Sequence, residues 1–352
     1  MDGKNVEAVL DGKQLKHAKK GIFAGVMSGM TWGASGTLLG LALGLAPFDK
    51  TPAGDEASPE VIAFIVAASL AAAFLHDAFA ALWVNINNIK NGKIKEYGRT
   101  LRTKPGKMVC IGAILGGPIG MSGYLLGINF VNAAYALPIT AAYPAVAAVL
   151  ATFIFKEKNP ARVWIGVALC ILGAFFVYYS PPEGGVGLYF TLGMTLSTLA
   201  CIGWASEGLL STYGMDMLDP DVALGIRETI SALAYFLFVL PIVTLFMMRV
   251  YSGPPIWELA AQSVSHSSFV IIAFAGFCGG FSYVYWYRAL NMTGVARAMA
   301  LNVTYALWGV LFGALFTGLE PSKYLIGGAI SIAVGAILVS ANPRELFNLR
   351  KV

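Results

Sequence analysis

The sequence predicts an all-α integral membrane protein of ten transmembrane helices, arranged as two inverted five-helix repeats with both termini cytoplasmic. Three observations carry that expectation. Of 352 residues, 57% are hydrophobic and 12% are charged, whereas a soluble domain carries about 25% charged residues. Ten apolar stretches are each long enough to cross a bilayer, which takes about 20 residues of helix. Finally, short stretches of the first half recur in the second.

The elements follow in order. A polar segment, 1–20, has no cleavable-signal pattern and precedes the first helix, 21–46. An acidic loop with Asp49, Asp55, Glu56 and Glu60 leads to the second helix, 61–86. A basic stretch (Lys90, Lys93, Lys95, Arg99, Arg102, Lys104, Lys107) leads to the third, 107–130, and 133–155 and 161–180 complete a first repeat, 21–180. The second repeat, 186–341, holds helices at 186–213, 221–249, 267–290, 293–317 and 322–341, before a cytoplasmic tail, 342–352. Connections rich in Pro, Gly and charge suit surface turns. With both termini inside, twenty Lys/Arg fall on the inner side and three (Lys50, Arg249, Lys323) on the outer, which fixes the orientation. Cys110, Cys170, Cys201 and Cys278 all lie in apolar runs and read as packing residues.

Two pairs of stretches define the repeat. MTWGASG (30–36) resembles IGWASEG (202–208), and YPAVAAVLATFIFKE (143–157) matches YALWGVLFGALFTGLE (305–320) in layout. An odd number of helices per repeat inverts the second copy. Inverted repeats are typical of secondary transporters, whose substrate site lies near the midplane where the repeats meet.

Intramembrane polar residues carry the chemistry, because a charge in hydrocarbon is costly and usually functional. The second helix supplies His76 and Asp77. The sixth supplies Trp204 and Glu207, three residues apart and so on one face. The seventh supplies Arg227 and Glu228. In the ninth, Asn302, Tyr305 and Trp308 recur every third residue and are expected to form one stripe. Trp32 lies in the first helix, and Tyr143 precedes Pro144 in the fourth, where a mid-helix proline removes a backbone hydrogen bond. Counting at about 1.5 Å per residue places these aromatic residues, His76 and Glu207 between the midplane and the inner half of the membrane. Aromatic faces beside a carboxylate in a dry site suit a cation, above all a quaternary ammonium, which donates no hydrogen bond. Trp32, Tyr143, Trp204 and Tyr305 are expected to form that cage and Glu207 its counter-charge, with His76, Asn302 and Trp308 as further substrate-binding candidates. Asp77, Arg227 and Glu228 are candidates for coupling or an ion pair. Glu207 has a second reading, an ion pair with Arg227 on the next helix, and the two readings are compatible. Tyr124, Tyr283 and Tyr285 rank lower, as packing residues or interface anchors.

With this architecture the chain resembles the drug/metabolite transporter superfamily, EamA type, over residues 20–342. SGMTWGASG (28–36), the pair His76–Asp77, GGPIGMSGYLLGINFVNAAYALPITAAYPAV (116–146), IGWASEGLLSTYGM (202–215), ALGIRETISALAY (223–235) and ALNVTYALWGVLFG (300–313) further resemble bacterial choline permeases. That resemblance implies a multi-pass protein of the bacterial inner (cytoplasmic) membrane that moves choline or a related quaternary amine by alternating access. Membrane potential or a proton gradient would drive uptake. It points to Trp32, His76, Tyr143, Trp204, Glu207 and Tyr305. The alternative within the superfamily is an exporter of cationic drugs or metabolites. No cofactor, metal ion or nucleic acid is expected as a partner. No GxxxxGK[ST], HExxH, GxSxG or CxxC pattern is present, so the expectation is a transporter rather than an enzyme.

Overall fold

The computed structural model describes residues 3–50, 52, 58–154, 159–179, 187–215, 217–293 and 300–340. Among these, every regular element is helical. We number the helices α1 (Gly3–Leu43), α2 (Pro59–Lys90), α3 (Lys104–Val131), α4 (Ala133–Phe153) and α5 (Ala161–Tyr178) in the first half. The second half holds α6 (Leu188–Met215), α7 (Pro220–Met247), α8 (Ser267–Thr293), α9 (Tyr305–Phe316) and α10 (Lys323–Ser340). Six of these, α2, α3, α4, α6, α7 and α8, are long and apolar enough to cross a bilayer, while α5, α9 and α10 are shorter apolar helices. α1 begins at Gly3, so helix runs through most of the stretch predicted only as a polar segment. A short helix, Ile256–Ser263, precedes α8 and has no counterpart in the sequence reading. Asp55, Glu56, Lys156, Lys158, Arg297 and the tail 342–352 lie outside the described residues.

Three helices start on one device. Ser58 accepts from the Val61 amide at 3.3 Å, Thr103 from Gly106 at 3.1 Å, and Asp219 from Asp221 at 2.9 Å and Val222 at 3.2 Å. Each cap is followed by proline in the first turn (Pro59, Pro105, Pro220), where a missing N–H costs nothing. Between α3 and α4 stands a single residue, Asn132, at φ 78° and ψ 152°, a conformation strained for any residue with a side chain, and its Oδ1 accepts from the Ala134 amide at 3.0 Å.

Several helices depart from regularity where the halves meet. α3 widens into a π-type turn at Leu115–Met121, and α7 at Tyr235–Val239. α4 breaks between Thr140 and Tyr143, and α9 is preceded by a helical turn from Ala300 that breaks at Val303–Thr304. At both breaks the backbone tightens to three-residue hydrogen bonds, Ala145 N to Ala142 O at 2.9 Å and Ala306 N to Val303 O at 3.2 Å. Pro144 therefore sits in the first turn of a restarted segment, where it is tolerated, rather than in mid-helix as expected.

Helices pair across the halves: α1 with α8 and α3 with α6, α2 with α8 and α3 with α7, α4 with α9, and α5 with α10. A two-fold relation between the halves produces this set of pairs. Small residues allow the approach. A Cβ on Gly166 or Gly335 would lie 2.6 Å from the other's carbonyl oxygen across α5 and α10, and on Gly173 or Gly328 2.7 Å. Between α1 and α8, Ser28 and Ser282 each donate to the other's carbonyl at 2.9 Å. Cys170, Cys201 and Cys278 are buried, Cys110 is half-buried, and all four are free thiols.

The basic stretch between α2 and α3 is tied to the start of α7. Lys93 donates to Asp219 at 2.9 Å and to Asp221 at 2.6 Å. Burial pulls the Lys93 ammonium down, but the bonds to Asp221 and Asp219 outweigh it and raise its pKa. Burial likewise pushes Asp219 up, but the bonds from Lys93 and the Val222 amide overcome it and lower its pKa. Tyr97 donates to Asn85 Oδ1 at 2.6 Å, and Asn88 donates to Tyr97 Oη at 2.7 Å and the Asp221 carbonyl at 2.6 Å.

Candidate functional site

Trp32 on α1 sits at the centre of an aromatic cluster. Its ring lies 5.5 Å from Trp204, 5.7 Å from Tyr283 and 6.5 Å from Tyr305, all edge-on, and stacks on Tyr124 at 6.1 Å. Tyr124 lies 5.1 Å from Trp204. The cluster thus draws on α1, α3, α6, α8 and α9. Trp204 is fixed by its indole N–H, which donates to the Gly116 carbonyl at 3.0 Å in the widened turn of α3, where the helical hydrogen-bond ladder shifts register.

Beside the cluster lies a buried ionic group. Arg227 Nε donates to Glu207 Oε1 at 2.8 Å and Nη2 to Oε2 at 3.3 Å, while Nη1 donates to Glu228 Oε2 at 3.0 Å. The guanidinium carbon also stands 5.2 Å over the Tyr283 ring. Behind this, Ser231 donates to Asp77 Oδ2, His76 Nδ1 lies 3.0 Å from Asp77 Oδ1, and His76 Nε2 lies 3.2 Å from the Ser35 hydroxyl. Two carboxylates, Glu207 and Glu228, thus hold one guanidinium, and a third, Asp77, stands behind them on His76 and Ser231. Glycines make the room. A Cβ on Gly116 would collide with the Glu207 carboxylate, on Gly117 with Ser231, and on Gly120 it would lie 2.7 Å from the Trp204 ring. The run GGPIG (116–120) is therefore the face of α3 on which the polar groups of α6 and α7 rest.

A cavity of about 100 Å³ lies between the cluster and the ionic group. Of the residues singled out in the sequence, Trp32, Tyr143, Trp204, Glu207, Arg227, Asn302 and Tyr305 line it. His76 lies behind, its ring 6.4 Å edge-on to Trp32, and Asp77 and Glu228 stand with it outside the lining. Trp308 does not join them. The break at Val303–Thr304 lies before Tyr305, and from there a three-residue step drifts about 60° round the helix, so Trp308 leaves the lining, packs over Gly33 and lies 5.7 Å from Phe312. Glu207 makes the ion pair with Arg227 and also borders the cavity, so its two readings are compatible. The sequence reading missed Ser282 and Trp286 in the lining and ranked Tyr283, which lines it, as a packing residue or anchor, while Tyr124 packs against Trp32 outside the lining. Aromatic residues near a helix end look like interface anchors, and only their three- and four-residue spacing along α8 pointed inward. Asn302 reaches the same wall, donating to Ser28 at 2.7 Å.

At its other end the lining reaches Val109 on α3 and Ala223 and Leu224 on α7, within two turns of the starts of those helices. A multi-pass helical protein whose two halves enclose a cavity of this kind has the architecture of a membrane transporter. The model of the EamA-like transporter family matches residues 19–179 and again residues 191–341, and the chain belongs to that family. It is similar to Protein LicB of Haemophilus influenzae, with 32% identity over 208 residues, 58% of this chain and 65% of that protein. The match thus spans just under two thirds of the relative's length. The fold is similar to a protein crystal structure with a TM-score of 0.54, over 92% of this chain and 97% of the other, at 14% identity.

Proposed function

We propose that this transporter is a permease for choline or a closely related quaternary amine. It is read as ten transmembrane helices in two inverted repeats, 21–180 and 186–341, between cytoplasmic segments 1–20 and 342–352 in a bacterial inner membrane. The observation that carries the reading is the cavity itself, walled by Trp32, Trp204, Tyr143, Tyr283 and Tyr305 and edged by Glu207. Each aromatic face contributes about 0.5–2 kcal/mol to holding a cation. The formal excess of carboxylate over guanidinium favours a cation over an anion. A volume of about 100 Å³ favours a small amine over a bulky drug. The cavity reaches toward the starts of α3 and α7, which lie on the inner side in the proposed orientation, so the site communicates with the cytoplasm. Alternating access then exchanges this arrangement with an outward-facing one. A membrane potential of 100 mV supports about 50-fold accumulation of a monovalent cation without further coupling.

The test is reconstitution of the purified protein into liposomes, with labelled choline followed at imposed potentials, with and without a pH gradient. Uptake that rises with inside-negative potential is expected. Uptake indifferent to voltage would overturn the uniport version and leave the proton-coupled one. Thermal stabilisation by bulky lipophilic cations but not by choline would favour the exporter.

A further inference from the structure

We infer that Arg227 is a tethered competitor of the substrate: the guanidinium and the transported amine contend for the same carboxylate, Glu207. This rests on the proposed function and adds a regulation to its site. The guanidinium already occupies the chemistry assigned to the substrate. It is a monocation paired with both oxygens of Glu207 at 2.8 and 3.3 Å, stands 5.2 Å over the Tyr283 ring, and borders the cavity. A quaternary amine seated between Trp204 and Glu207 draws on the same negative charge, and a carboxylate fully committed to Arg227 has less to offer it.

Two further observations make an exchange feasible. Arg227 holds a second carboxylate through a different nitrogen, Nη1 to Glu228 at 3.0 Å, from the next residue of its own helix. Guanidinium presents several donors in a fixed fork, so it can give up one partner and keep the other. Yielding Glu207 therefore does not leave a buried cation without a counter-charge, the outcome that makes breaking most buried pairs expensive. Space is also present on the correct side. Gly208 follows Glu207 on α6 and lines the cavity, and a Cβ built there meets nothing within 4 Å, whereas Gly116 closes against the carboxylate from α3. The exchange conserves charge, with one cation replacing another at Glu207. Glu228 sets how readily Arg227 lets go, which makes it a positioning residue for a substrate it does not touch.

The experiment measures choline and tetramethylammonium binding to the full-length purified protein by tryptophan fluorescence, with melting temperatures taken alongside. Arg227→Gln removes the competitor and is expected to tighten choline binding about tenfold, even as it lowers the melting temperature. Glu228→Gln leaves Arg227 only Glu207 and is expected to weaken binding about tenfold. The opposite signs are the signature, because a purely structural network would weaken binding in both variants. Where Arg227→Gln does not fold, Arg227→Lys keeps the charge but loses the two-oxygen grip, and tightening of a few-fold is expected. Wild-type protein that binds neither amine would overturn the proposed function and this inference with it. Wild-type binding with no tightening in either Arg227 variant would overturn the inference alone.

Discussion

The two halves place the same kinds of residue at matching points, and they differ in charge. Trp32 on α1 is followed three residues later by Ser35, and Trp204 on α6 by Glu207. Ser35 meets His76 of a base–acid pair, His76–Asp77, on α2, while Glu207 meets Arg227 of a second base–acid pair, Arg227–Glu228, on α7. One arrangement is thus built twice, with a hydroxyl and an imidazole in the first half and a carboxylate and a guanidinium in the second. The duplicated fold supplies matching aromatic walls. The polarity of the cavity comes from what the second half changed.

Making the halves alike is the strongest way to break this contrast. Glu207→Ser copies the first half's residue and takes from Arg227 its two-oxygen partner. Glu228 still holds the guanidinium, so the loss is that of two charge-assisted hydrogen bonds, about 3 kcal/mol, read as a lower melting temperature in detergent and, on the proposed function, as loss of choline binding. A variant that melts with the wild type would show that the pair carries no weight. Next comes Trp204→Phe, which keeps an aromatic ring but strands the buried Gly116 carbonyl; about 1–3 kcal/mol is expected. Trp32→Phe is expected to cost less, and chemical denaturation of the two variants side by side measures the asymmetry. Smaller again is Tyr305→Phe, which gives up the bond from the phenol to Thr140 Oγ1 at 3.3 Å. A cost of about 0.5–1 kcal/mol follows, and a larger one would mean that the hydroxyl does more than that bond.

The smallest effect belongs to the surface tie at Lys93. Asp219→Asn is expected to cost about 0.5 kcal/mol, as for exposed ion pairs. Because folding lowers the Asp219 pKa, its contribution is fully present above the unfolded value of about 3.9 and fades as pH falls below it. Lys93, raised by the same contacts, loses its part only as pH climbs past about 10.4. The difference in melting temperature between wild type and Asp219→Asn should therefore be flat from pH 5 to 8 and shrink near pH 4.

Helical class, membrane character and the charged residues facing the cavity were legible in the sequence, because hydropathy and buried charge are large signals. Glu207, Arg227, Trp32 and Trp204 announced themselves in this way. Periodicity served less well. The stripe Asn302–Tyr305–Trp308 assumed that every third residue shares one face, but each such step drifts about 60° round an α-helix, and Trp308 leaves the lining that Tyr305 joins. The role of GGPIG was equally hidden, since a glycine reveals its purpose only once the side chain that rests on it is known.

The four glycines where α5 meets α10 are not part of the cavity lining, yet there the two halves come within backbone contact. For a carrier that works by rocking, such a seam is an axle: it lets the halves turn without parting, and displacement grows with distance from it. Load-carrying and cargo-holding would thus fall to separate helices, so the lining can be re-tailored to a new substrate while the bearing stays as it is.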